Sequence, residues 1–193
     1  LRMLPESMRL TERAPLLFLG GYFLVHFFEH TVAPHFHFGE ERHDEVMMNP
    51  AVGISALAGL TIHTFFDGVS IASGFLASVP LGLLIFCAVI LHKIPEGVTV
   101  ASIALASGHG KRGAMAASFI LAAATLAGVL GMHQFEAAVS YALPFSTGVT
   151  LYVAATDLMP EVNEERGMKM TLVVFLGVAL FWVTEKALDI VMP

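Results

Sequence analysis

The chain has 193 residues, of which 56% are hydrophobic and only 13% charged, and its mean hydropathy is +0.75. An ordinary soluble domain carries about 25% charged residues, so this composition belongs to a membrane protein. The net charge of −6, with ten Lys and Arg scattered along the chain, offers no basic groove and excludes nucleic acid as a partner.

A membrane-spanning helix needs about 20 mostly apolar residues. Six stretches are predicted to span: about 15–33, 50–77, 80–106, 113–132, 134–158 and 170–190. The fold class expected is therefore all-α, a polytopic membrane helix bundle forming one domain over residues 1–193. Arg2, Arg9 and Arg13 precede the first apolar run as in a signal peptide, but no small-x-small cleavage site follows, and the run is read as a retained helix starting at Pro15. His26, Glu29 and His30 soften its far end. The segment EHTVAPHFHFGEERHDE, residues 29–45, then places His30, His35, His37 and His43 among five acids, with the loop proper at 34–49. Such a tract either collects metal weakly or is a solvated loop without a defined site, and composition leaves both readings open.

The connections at Ser78–Pro80, Gly108–Arg112 and Gly131–Gln134 are short, which makes neighbouring spans antiparallel. Arg42, Lys111, Arg112, Arg166 and Lys169 fall on one side of the membrane, and the two short connections on the other side hold no Lys or Arg. This count favours the first side as cytoplasmic, against Arg2, Arg9, Arg13 and Lys186 on the opposite side. Cys87, the one cysteine, sits in an apolar run and is expected to be a small buried side chain.

The chemistry concentrates in a repeat. HTFFDGVSIAS (63–73) is followed 29 positions later by HKIPEGVTVAS (92–102), and eight of the eleven paired positions are identical or conservative. Residues i and i+4 share a helix face, so His63 with Asp67 and His92 with Glu96 each present an imidazole and a carboxylate one turn apart. Both pairs fall near the middle of predicted spans that lie side by side. An ionisable group at that depth costs on the order of 3 kcal/mol on insertion scales, so four of them plus Lys93 require partners or water. Two imidazoles and two carboxylates facing each other suit Zn²⁺ or another first-row divalent ion. Pro95 frees the Leu91 carbonyl beside this level, and Gly68 and Gly97 are expected to allow close backbone approach.

HTFFDG followed by HKIPEG resembles the paired fourth and fifth helices of the ZIP family of divalent-metal transporters, and LYVAATDLMPE (151–161) resembles that family's seventh helix. The resemblance implies that the six spans are the third to eighth of eight, with the first two missing, which agrees with a chain that begins at Leu1. It implies further that His63, Asp67, His92 and Glu96 surround the transported metal. Thr64 and Lys93 stand where family members hold a second metal. Lys93 is expected to pair with Glu96, three residues on, when the site is empty. Asp157 is implied as an exit-path contact; Glu161 reads as a polar helix end, and His133 with Glu136 as a polar turn at the opposite mouth.

The function expected is divalent-cation transport by alternating access, with Zn²⁺ foremost and Fe²⁺, Mn²⁺ or Cd²⁺ as further cargo, in a multi-pass protein of the plasma (inner) membrane. No prosthetic cofactor is expected, and the partners are metal ions and the bilayer, with a homodimer as one admissible assembly. An intramembrane zinc hydrolase is the contrasting reading. It is disfavoured because no H-E-x-x-H occurs and both carboxylates are needed to complete the metal shell, which leaves no general base. A metal-binding fragment unable to transport is the third alternative.

Overall fold

Apolar runs of this length form helices because a helix satisfies its interior backbone N–H and C=O groups within itself, which lipid cannot do for them. The computed structural model describes residues 2–31, 50–159, 162 and 168–191, and all regular structure among them is helical. In chain order these are α1 (Met3–Leu10), α2 (Ala14–Thr31), α3 (Pro50–Ala77), α4 (Val79–Ala106), α5 (Gly110–Gln134), a 3-10 turn (Glu136–Ala138), α6 (Val139–Val153), a π-turn that continues it (Ala154–Leu158), and α7 (Met168–Val191).

Among the described residues, five stretches are long and apolar enough to cross a membrane: Gly53–Ala77, Val79–Ala106, Gly110–Gln134, Glu136–Thr156 and Met168–Leu188. The protein is a multi-pass integral membrane protein. The predicted first span is helical as α2, but it has 18 residues, and His26, Glu29 and His30 dilute its hydropathy, so it is not one of the five. Helix α1 was not foreseen, because eight residues with alternating polar and apolar character leave no apolar run to detect.

The hairpins follow local sequence. Ser78 is extended and its Oγ accepts the Leu81 N–H at 3.3 Å, with Pro80 in the first turn of α4 where no intrahelical donor is needed. At the other end of α4, Gly108 takes φ +81°, the left-handed conformation that glycine adopts without a Cβ clash, and turns the chain into α5.

Helix α3 is central and packs against α4, α5 and α6, while α2 packs against α6. The closest crossings are built on reciprocal glycines. A Cβ on Gly68 of α3 would collide with the Thr125 carbonyl of α5, and one on Gly128 of α5 with the Phe65 carbonyl of α3. Gly21 and Gly148 do the same for α2 and α6, against Phe145 and Phe18. Gly97 departs from expectation: among the described residues a Cβ there would meet nothing within 4 Å, and no backbone approaches it.

Two apolar clusters lie on either side of the mid-level of α3 and α4. One joins Ala56, Leu60, Val100, Ile103, Ala117 and Leu121. The other joins Ile71, Leu81, Ile85, Val89 and Leu143. Cys87 is exposed rather than buried, which corrects the expectation from its apolar surroundings. A membrane helix is apolar around its whole circumference, so composition alone does not separate its packed face from its lipid face.

Candidate metal centre

His63 and His92 are each the fourteenth residue of a 28-residue helix, counting from Pro50 and from Val79. Because α3 and α4 run antiparallel, these midpoints coincide in depth. One ligand atom each from His63, Asp67 and His92 lies within 4.8 Å of the others, a trio drawn from both helices. Asp67 Oδ2 is 3.4 Å from His63 Nε2 and 3.1 Å from His92 Nε2. Asp67 is 2% exposed, and the Nδ1 of His63 is buried without a hydrogen-bond partner among the described residues. Nitrogen and oxygen donors at this spacing match the chemistry of a first-row dication, whose bonds to them are about 2.0–2.2 Å.

Glu96 stands beside the trio rather than in it. Its carboxylate accepts a hydrogen bond from the Thr64 hydroxyl and pairs with Lys93 Nζ at 2.5 Å. The same ammonium donates to Asp67 Oδ2 at 2.7 Å and to Thr64 Oγ1 at 3.1 Å. The expected Lys93–Glu96 pair is therefore present, and Lys93 also reaches across to α3. Thr64 is fully buried and Lys93 about one-quarter exposed, so the ammonium stays inside the bundle and does not snorkel to an interface. Pro95 lies within α4, which continues past it to Ala106.

The elements explain why these side chains converge. On α4 the residues Leu91, Ile94 and Val98 point outward while Val89, Glu96 and Val100 are buried, so a helical stripe of the Pro95 region faces α3. Asp67 directly precedes Gly68, where α3 crosses α5. A cavity of about 130 Å³ runs from Asp67 and His92 past Ser70 and Leu84 to Arg2 and Phe181. At that end Arg2, the residue before α1, pairs with Glu185 of α7 at 2.5 Å.

A second polar cluster was not singled out from the sequence. The Tyr152 hydroxyl of α6 donates to Glu29 Oε2 at 2.9 Å and lies 3.5 Å from His26 Nδ1. His26 and His30 have ring centroids 4.1 Å apart, and His30 Nδ1 lies 2.9 Å from the His26 carbonyl. The i, i+3, i+4 spacing of His26, Glu29 and His30 was the signal available for it. His30 thus belongs to the last turn of α2. His35, His37, His43 and Glu161 lie outside the described residues. Asp157 falls on the π-turn, its side chain outside them. His133 Nδ1 and Glu136 Oε1 are 3.0 Å apart and exposed, an ordinary polar turn.

A family model described as "ZIP Zinc transporter" matches residues 35–185, which is most of the chain and includes the trio. The chain belongs to the ZIP zinc transporter family. That family consists of transporters and not of enzymes. Among its relatives are zinc transporter ZIP13 homolog of Drosophila melanogaster, 33% identical over 139 residues and covering 66% of this chain and 39% of its own length. Human zinc transporter SLC39A7 is 31% identical over 136 residues, covering 65% of this chain and 29% of its own. Zinc transporter zipt-7.2 of Caenorhabditis elegans is 28% identical over 136 residues, with 66% and 29% coverage. The chain thus spans less than half the length of these curated relatives. No solved structure matches it.

Proposed function

We propose that this ZIP protein carries divalent metal ions, Zn²⁺ foremost, through a midplane site formed by His63, Asp67 and His92 with Glu96 beside them, by alternating exposure of that site to the two sides. The observation that carries the reading is the meeting of three ligand atoms, one from each of His63, Asp67 and His92, within 4.8 Å at the shared midpoint of two antiparallel helices. A neutral imidazole and a carboxylate bind and release a dication without redox chemistry, as a carrier requires.

The cavity that reaches from Asp67 and His92 to Arg2 and Phe181 supplies one access route, on the side whose two short connections hold no Lys or Arg. By that count the route faces the outside, and both ends of the chain lie with it. Helix α2 serves as a sixth span, and residues 1–193 act as one transmembrane domain. Fe²⁺, Mn²⁺ and Cd²⁺ are further cargo on the same donor set. Asp157 and the loop histidines His35, His37 and His43 belong to the path on the opposite side. The relatives' names attach zinc transport to those proteins; here the donor chemistry supports the same cargo.

The test is metal uptake into proteoliposomes together with metal binding to the purified protein in micelles. His63→Ala abolishes both while the protein remains monodisperse. Unchanged binding by His63→Ala overturns the site, and intact binding without uptake by the wild type identifies a binding protein rather than a carrier.

A further inference from the structure

The ammonium of Lys93 and the metal trio lay claim to the same atom. Asp67 Oδ2 is the oxygen that approaches both histidines, at 3.4 and 3.1 Å, and it is also the acceptor of Lys93 Nζ at 2.7 Å. A dication bound to that oxygen at about 2.1 Å sits within about 5 Å of the ammonium. At this separation in a low-dielectric interior the two repel by several times the thermal energy.

Lys93 is held as a ligand is held, by Asp67, Glu96 and Thr64 from two helices. In the sequence repeat Lys93 and Thr64 occupy matching positions, one after each histidine, and in the fold they touch at 3.1 Å. The formal charges point the same way. Two carboxylates balance one dication only once the ammonium has withdrawn, and without metal they are left stranded unless the ammonium is there.

We propose that Lys93 is the tethered counter-cation of the empty site: its ammonium fills the position between Asp67 and Glu96 when no metal is bound and must release Asp67 for a dication to bind. This inference rests on the metal-carrier reading and adds to it. Metal binding becomes an exchange of one cation for another, which lowers affinity and favours release. It also lets the carrier return empty without exposing two unpaired carboxylates to the bilayer interior. With the ammonium in place the empty site carries a net charge of −1 rather than −2, and with it withdrawn the loaded site is neutral, so neither form buries more than one unbalanced charge. The flexible four-carbon stem of lysine permits such a withdrawal, and its ammonium binds carboxylates as a compact point charge.

The experiment compares wild type, Lys93→Gln and Lys93→Arg, each purified in micelles and titrated with Zn²⁺ alone, then reconstituted for net uptake and for exchange of labelled against unlabelled Zn²⁺. Lys93→Gln is expected to bind Zn²⁺ on the order of tenfold tighter or more, because the competing charge is gone. Its net uptake should fall by a larger factor than its metal-for-metal exchange, since exchange never uses the empty return. Lys93→Arg, which keeps the charge, should stay near wild-type affinity.

Should Lys93→Gln not yield monodisperse protein, the double variant Lys93→Gln/Glu96→Gln is set against Glu96→Gln alone, which strands one carboxylate fewer, with the same tightening expected. Equal or weaker binding by the glutamine variant, or equal loss of net uptake and exchange, overturns the counter-cation role while leaving the carrier reading intact. Wild-type binding that survives His63→Ala overturns the trio itself, and this inference with it.

Discussion

Asp67→Asn tests the arrangement most directly, because the structure makes Asp67 and Glu96 unequal where the sequence repeat makes them alike. Asp67 Oδ2 approaches both histidines, whereas Glu96 is occupied by Thr64 and Lys93. At an effective dielectric of about 20, a carboxylate and a dication about 3 Å apart attract by roughly 11 kcal/mol. Dehydration of both takes back most of that. A residue of about 3 kcal/mol corresponds to about a hundredfold in Kd. Glu96→Gln removes a carboxylate that does not touch the trio and also loosens the hold on the competing ammonium. Its affinity loss should stay at about tenfold or below, near 1.4 kcal/mol.

Stability behaves differently. Each substitution leaves Lys93 with one buried carboxylate fewer, and breaking a buried pair costs about 3–5 kcal/mol, toward the lower end here because the other carboxylate remains. Both variants should therefore melt earlier by similar amounts in micelles, while isothermal titration with Zn²⁺ separates them by about an order of magnitude. Equal affinity losses would mean that the four residues act as one symmetric shell and that the distinction drawn here is wrong.

The central site should bind one metal per chain, because the tethered Lys93 ammonium repels a second dication and Thr64 offers only a neutral hydroxyl; Lys93→Asp with Thr64→Asn should raise the stoichiometry to two, counted on protein lacking the loop histidines, and two ions in the unmodified centre would contradict it. Gly128→Leu should force α3 and α5 apart and cost about 1–3 kcal/mol or more, whereas Gly97→Ala should change the melting temperature little; a sensitive Gly97 would show a contact that the geometry lacks. Tyr152→Phe removes the hydroxyl that donates to Glu29 and should destabilise the α2–α6 contact by about 1.5–3 kcal/mol, read by thermal unfolding, and a neutral effect would mean that water serves Glu29 equally well.

The all-helical membrane class and the two half-sites were readable from the residues alone, and for a physical reason. Lipid penalises every unpaired polar group, so hydropathy marks the spans, and histidine and carboxylate stand out against an apolar background where chance rarely leaves them. The spacing of His63 to Asp67 and of His92 to Glu96 is a property of any α-helix, and equal distances to the ends of neighbouring spans imply equal depth. The first span was less legible because its polar residues, His26, Glu29 and His30, form a cluster with Tyr152, a partner more than a hundred residues away.

Other features depended on how the helices rotate against one another, about which an apolar circumference carries no information. Cys87 faces outward, Gly68 meets a neighbouring backbone and Gly97 does not, although the two glycines are equivalent in the repeat. The same rotation broke the symmetry of the site. It brought Asp67 against both histidines and left Glu96 to Thr64 and Lys93; α5 crosses α3 at Gly68, whereas among the described residues no backbone approaches Gly97 of α4. Local spacing places a side chain on a helix; which neighbour it then meets is decided by long-range packing, and no pattern within either helix encodes that.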